Sequence, residues 1–269
     1  MLLRIGYDIE FEFAAPTPMV LLLSTRPEEA GRLLKPDFPQ TEPFVPTTEF
    51  IDLFGNRCHR LVAPEGRLRL FNDTLATDTG LPDVMATDAP QHRIEDLPDE
   101  CLQFLLGSRY CEVAEMLPVA WDLFGRTPPN AERVQAICDW VFSNVEFGYK
   151  FARPTKTALD VFHERRGVCR DFTHLAVTLC RCMNIPTRYC NGYLGDIGIP
   201  SDPNPMDFNA WMEVYLGGRW RMYDPRHNTP RIGRVVLAHG RDAVDVAMTT
   251  AFGSNTLRKF VVITEEATE

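Results

Sequence analysis

Apolar side chains fall at every second position from Ile5 through Tyr7, Ile9 and Phe11 to Phe13, an alternation that turns one face of a strand toward a core. Residues 20–23 add a second short apolar run. Residues 50–54, the turn pair Gly55-Asn56 and residues 57–62 then read as a hairpin, and Leu68, Leu70 and Phe71 open a further strand after Pro64 and Gly66. No helix of useful length fits this half. Residues 1–80 are therefore predicted to form a small all-β domain of the sandwich type.

Residues 81–98 carry Pro82, Pro90 and Pro98 among acidic and small side chains and predict a connector. The period then changes. Leu102, Leu105 and Leu106 fit a helical segment, and residues 130–145 place Val134, Ile137, Cys138, Val141, Phe142 and Val145 on one helical face just after Pro128 and Pro129. Residues 157–166 predict a shorter helix stopped by Gly167. Residues 169–183 form a third amphipathic stretch, with Phe172, Leu175, Ala176, Leu179, Cys180 and Met183 at helical spacing. Strand-like segments follow at 188–193, 210–216, 220–223, 235–238 and 260–264, with Gly217-Gly218 turning the chain between the second and third. Helices followed by antiparallel strands predict an α+β class, with residues 99–269 forming helices packed on an antiparallel sheet.

Composition narrows the function classes. With 45% hydrophobic and 24% charged residues over 269 positions, the chain has the make-up of a soluble globular protein. A net charge of -9, from 28 basic and 37 acidic side chains without a basic run, argues against a nucleic-acid surface. No segment approaches the roughly 18 apolar residues of a membrane span, and the first residues lack a signal-peptide pattern, which predicts a cytoplasmic protein. Eight cysteines in that setting predict free thiols. Their spacing suggests no zinc site: Cys180 and Cys182 point to different sides of one helix, Cys138 reads as core, and Cys58, Cys101, Cys111 and Cys190 have no assignable partner. No glycine-rich phosphate loop or ligand cluster implies a cofactor or metal.

Cys169 is the exception among the thiols. It follows Gly167-Val168 at the head of a predicted helix, where unpaired N–H groups and the helix dipole favour a thiolate and lower the pKa from about 8.5. The alternative is a buried, inert thiol. A nucleophilic cysteine needs a base and a group to orient that base, and the candidates lie on the strands that follow, in residues 209–216 and 220–225.

The ordered set G-x-C-x-D at 167–171, N-I-P-T-R at 184–188, G-Y at 192–193, A-W-M-E-V-Y-L at 210–216 and W-x-x-Y-D-P at 220–225 resembles the core of the transglutaminase-like superfamily. The β-rich half, with D-L-F-G-N-R at 52–57, is similar to the N-terminal domain of bacterial members. The resemblance implies a papain-like, transglutaminase-like core and a cysteine, histidine and aspartate triad. Cys169 matches the nucleophile and Asp224 the orienting carboxylate. Asn209 stands where the histidine is expected, directly before Ala210-Trp211, and an amide does not titrate.

Three readings stay open. His227, in Asp224-Pro225-Arg226-His227, supplies the imidazole from a loop; or the helix terminus alone makes the thiolate and Asn209 contributes hydrogen bonds; or the chain is a pseudoenzyme that binds a protein or peptide. His174, five residues into the Cys169 helix, lies on a different side of it. Trp211 walls the site or fills the core, and Arg170 and Asp171 shape the mouth or form a solvated first turn. A working site implies attack of Cys169 on an amide of a protein or peptide, giving a thioester that water hydrolyses or an amine converts to a new amide.

Overall fold

The alternating residues of the first half become β1 (Leu2–Phe13), β2 (Thr17–Leu21), β3 (Gln40–Glu42), β4 (Thr48–Ile51), β5 (Arg57–Ala63) and β6 (Gly66–Thr77). The structure, a computed structural model, describes residues 1–85, 87–201 and 205–267. Leu3, Ile5, Tyr7, Ile9, Phe11 and Phe13 of β1 are all buried, against Met19 and Leu21 of β2, Leu61 and Ala63 of β5, and Leu68 and Leu70 of β6. Two facing sheets share that core, the sandwich that the alternation predicts.

Helices occupy the middle of the chain: α1 (Asp99–Leu102), α2 (Val113–Phe124), α3 (Ala131–Asn144), α4 (Ala158–Glu164) and α5 (Cys169–Cys182), with β7 (Glu146–Phe147) and β8 (Arg166–Gly167) forming a short parallel pair. Asn130 caps α3 by accepting from Glu132 N, and Thr157 caps α4 by accepting from Asp160 N. Buried α5 is the central helix of the second core, where it meets α2, α3 and α4. α2, which the apolar pattern does not predict, carries Pro118 and has no side-chain cap, yet Met116, Ala120 and Phe124 line up on its buried side. One expectation fails here. Phe142, predicted on the buried face of α3, is 47% exposed, because that face is narrower than the apolar run.

The remaining strands are β9 (Thr187–Tyr193), β10 (Asn209–Leu216), β11 (Arg219–Tyr223), β12 (Val235–Gly240), β13 (Thr249–Ala251) and β14 (Asn255–Glu266). An antiparallel sheet in the order β11-β10-β9-β12 packs one face on α5. Gly217 and Gly218 turn β10 into β11 with φ of 58° and 79°, the left-handed pair of a tight hairpin. The last two strands leave this sheet. β14 pairs with β1 and β13 with β2, giving sandwich sheets in the orders β14-β1-β6-β3 and β13-β2-β5-β4. The predicted core of residues 99–269 is corrected accordingly: residues 249–266 belong to the sandwich sheets. Without them the backbone of β1 and β2 would present open edges.

Candidate active site

Gly167 ends β8 and the chain enters α5 at once, so Cys169 stands at the first position of a helix held in the core. Asp171 fixes that entry. It is fully buried, its Oδ2 accepts from Val168 N at 3.0 Å, and Arg170 reaches its Oδ1 at 3.3 Å. Arg170 also donates to Arg153 O at 2.6 Å. Asp171 is thus a cap inside the protein, not a group at the mouth of the site.

Seven of the eight cysteines are buried and Cys169 alone is partly exposed; all eight are free thiols. Its proton, however, is held tightly. Burial pushes the Cys169 thiol up to about 12, the Asp207 carboxylate adds to this, and the backbone amides of Ala210 and Arg170 act in the opposite sense. This runs against the expectation that the helix terminus lowers the thiol: desolvation of the charged sulfur outweighs the backbone amides that favour the thiolate. A base is required.

Asp224 orients His227. The Asp-Pro-Arg-His sequence forms a turn in which Asp224 Oδ1 accepts from Arg226 N at 3.0 Å and His227 N at 2.9 Å, folding the imidazole back so that Nδ1 lies 2.9 Å from Asp224 Oδ2. The same Oδ2 accepts from Arg234 Nη2 at 2.6 Å. Burial alone would raise the Asp224 carboxyl, but the Arg234 and His227 partners hold it well below the usual carboxylate range. Asp224 is therefore ionised, and a carboxylate at this distance from Nδ1 is an acceptor that favours a hydrogen on that ring nitrogen. Arg234 is anchored in turn by Asp83 of the connector, which accepts from its Nε at 2.9 Å, and its guanidinium lies 4.9 Å from the Trp211 ring.

Two cavities meet at Cys169. One, of about 360 Å³, is lined by charged groups including Asp196, Asp207, Arg226, His227 and Arg231. The other, a groove of about 570 Å³, is mostly apolar. Tyr149, Cys169, Asp207, Phe208 and Asn209 line both and form the divide. Asn209 Nδ2 donates to Leu194 O at 3.1 Å and Asp207 O at 3.3 Å, so its amide is engaged in shaping the divide. Trp211 is 1% exposed and lines neither cavity, and Arg170 lines the groove. His174 is buried between the rings of Tyr110 and Tyr189 and lines neither. Cys169, Asn209 and His227 thus share one cavity, with Asp224 behind the imidazole. Asp207 and Arg234 escaped the sequence reading. Asp207 had a signal, a carboxylate two residues before Asn209, whereas Arg234 had none.

Among the described residues, Cys190, Glu213 and His239 bring one potential ligand atom each within 4.8 Å of one another. Arg188 Nε already holds Glu213 Oε2 at 2.7 Å, and the positive charges of Arg188, Arg26 and Arg234 act on Cys190, which makes this an ion-paired junction. No helix among the described residues is long and apolar enough to cross a membrane.

The family model described as the transglutaminase-like superfamily matches residues 119–225, a span that takes in Cys169, Asn209 and Asp224 and stops two residues short of His227. The solved structure of a cysteine protease candidate from Cytophaga hutchinsonii is similar at 30% identity with a TM-score of 0.82, covering 98% of this chain and 90% of that one. An uncharacterized protein of Mycobacterium leprae is 26% identical over 218 residues, 77% of this chain and 76% of that protein. Human kyphoscoliosis peptidase is 30% identical over 112 residues, 38% of this chain and 16% of its own length.

Proposed function

The chain belongs to the transglutaminase-like superfamily, and on that premise we propose that it is a cysteine-dependent acyl-transfer enzyme acting on amide bonds of a protein or peptide. The observation that carries this reading is the contact of His227 Nδ1 with Asp224 Oδ2 at 2.9 Å, on an imidazole that lines the same cavity as Cys169. His227 takes over the role of the histidine expected at position 209. Nε2 accepts the Cys169 proton and the thiolate attacks the carbonyl carbon. The oxyanion forms beside backbone N–H donors, and the imidazolium then gives its proton to the leaving amine as the thioester forms. Water releases an acid by the reverse sequence; an amine gives a new amide.

One observation favours the second reading, a catalytically impaired binding module: a thiol held up to about 12 is almost wholly protonated near neutrality. Kinetics separate the two. In an assay of ammonia or peptide release, Cys169→Ala is expected to abolish turnover and His227→Ala to lower kcat by about 10²–10⁴-fold. Asn209→Ala is expected to cost much less. Wild-type protein with no turnover that still captures a peptide partner after Cys169→Ala would support the binding module instead. Eight unpaired cysteines support a reducing compartment, the cytoplasm.

A further inference from the structure

The proton inventory gives the two cavities different tasks. His227 lines the charged cavity and does not line the apolar groove. In the acyl-transfer reading, on which this inference rests, the C–N bond breaks as Nε2–H delivers its proton to the departing nitrogen. That nitrogen must lie on the His227 side of the sulfur. The carbonyl carbon stays bonded to Sγ, so its other substituent, the acyl chain, is directed away from His227, where the groove begins across the divide of Tyr149, Cys169 and Asn209.

The groove is built for apolar groups. Ile9 and Phe11 of β1, Leu257 and Phe260 of β14 and the loop residue Val246 line it, so the sandwich supplies part of its wall. At its edge Val244 and Leu257 are 48% and 52% exposed, large apolar side chains left open to water beside a catalytic thiol. The charged cavity is different in kind: Asp196, Glu265 and Glu266 line it together with Arg226 and Arg231, which suits an amine rather than an apolar side chain.

We infer that the groove receives the acyl side of an extended peptide substrate, with a large apolar side chain of the leucine or phenylalanine type next to the reacting carbonyl, while the charged cavity takes the leaving amine and then the incoming water or amine. In the step itself the proton of Sγ passes to Nε2, the S–C bond forms as the carbonyl π pair moves to oxygen, and collapse breaks C–N with return of the proton to nitrogen. The sandwich domain thereby becomes a determinant of substrate choice.

The test uses the full-length protein and three alkylating probes: iodoacetamide, which has no acyl side, and the chloromethyl ketones of acetyl-phenylalanine and acetyl-aspartate. Modification of Cys169 is followed by mass spectrometry, and each rate is normalised to that of free cysteine. The phenylalanine probe is expected to exceed the aspartate probe by about tenfold or more, the discrimination that one well-buried apolar side chain gives. Leu257→Asp, a substitution at an exposed position, is expected to bring the ratio toward one. Equal rates for the two ketones, with Cys169 still modified by iodoacetamide faster than the other cysteines, overturn the assignment of the groove and leave the acyl-transfer reading standing. Failure of every probe to prefer Cys169 overturns both. An unchanged ratio in Leu257→Asp removes the groove as its cause.

Discussion

Asp207 lines both cavities beside Cys169 and is the carboxylate that does most to keep the thiol protonated, second only to burial itself. Neutralising it removes a like charge from the thiolate. Asp207→Asn is therefore expected to lower the pH at which iodoacetamide alkylation reaches half its maximal rate. Near neutrality each unit of that shift gives about tenfold more thiolate, partly offset by weaker intrinsic nucleophilicity, leaving about a threefold faster reaction. A slower reaction would instead make Asp207 the group that takes the proton. At this scale Cys169 was marked by a glycine before a helix head, Asp224 by the family resemblance and His227 by its nearness to Asp224, whereas the turn in which the Asp224 carboxylate binds the amide three positions on is seen only in the structure. The height of the thiol pKa was not legible. It depends on how much water the fold leaves around the sulfur, and on a carboxylate 38 positions further along the chain.

The helix that presents Cys169 starts against a tight steric stop. A Cβ on Gly167 would lie 2.5 Å from Asp171 Cβ and 2.8 Å from its Oδ2, and Asp171 is the residue that accepts from Val168 N at the head of α5. Gly167→Ala is expected to push Asp171 aside and destabilise the protein by about 1–3 kcal/mol. In a chain of this size that lowers Tm by about 2–4 °C for each kcal/mol, measurable by scanning calorimetry. An unchanged Tm would mean that the cap adapts at no cost. α5 itself was legible because an unbroken amphipathic stretch leads straight from this glycine. α2 was not, since Pro118 reads as a break until the surrounding helices show that its lost hydrogen bond is tolerated. Strand β14 was visible as apolar sequence, yet its partner β1 lies at the other end of the chain, with Leu3 opposite Glu266. Pairings of that range are carried by no local pattern.

The layers of the whole molecule are joined by buried polar groups, and buried histidines among them make its stability depend on pH. The Asp-Leu-Phe-Gly-Asn-Arg turn explains itself at this scale: Asp52 Oδ1 accepts from Phe54 N and Asn56 N at 2.8 Å each, and Asn56 then exchanges hydrogen bonds with His239 of β12, tying sandwich to central sheet. The His239 ring is buried among Arg26, Arg188 and Glu213, and burial pushes its pKa well below the usual histidine range. On α5, His174 Nε2 accepts from Ala243 N at 3.1 Å, anchoring the segment that borders the apolar groove, and burial lowers this imidazole in the same way. Folded-state values below the unfolded value of about 6.5 mean that the unfolded chain binds more protons as pH falls through 6.5. Stability from these two groups is complete above that pH and is lost below it, by at most about 3 kcal/mol per pH unit for two protons. Asp37, Asp171 and Asp207 oppose this at lower pH, because burial raises their carboxyls and the folded state then binds the extra proton. Urea unfolding at pH 7.5, 6.0 and 5.0 is expected to show a falling midpoint in the wild type. His174→Gln, which keeps an acceptor for Ala243 N without titrating, is expected to fall less steeply than the wild type. A midpoint that does not move over this range in the wild type would show that neither histidine remains neutral in the fold at the cost that its burial requires.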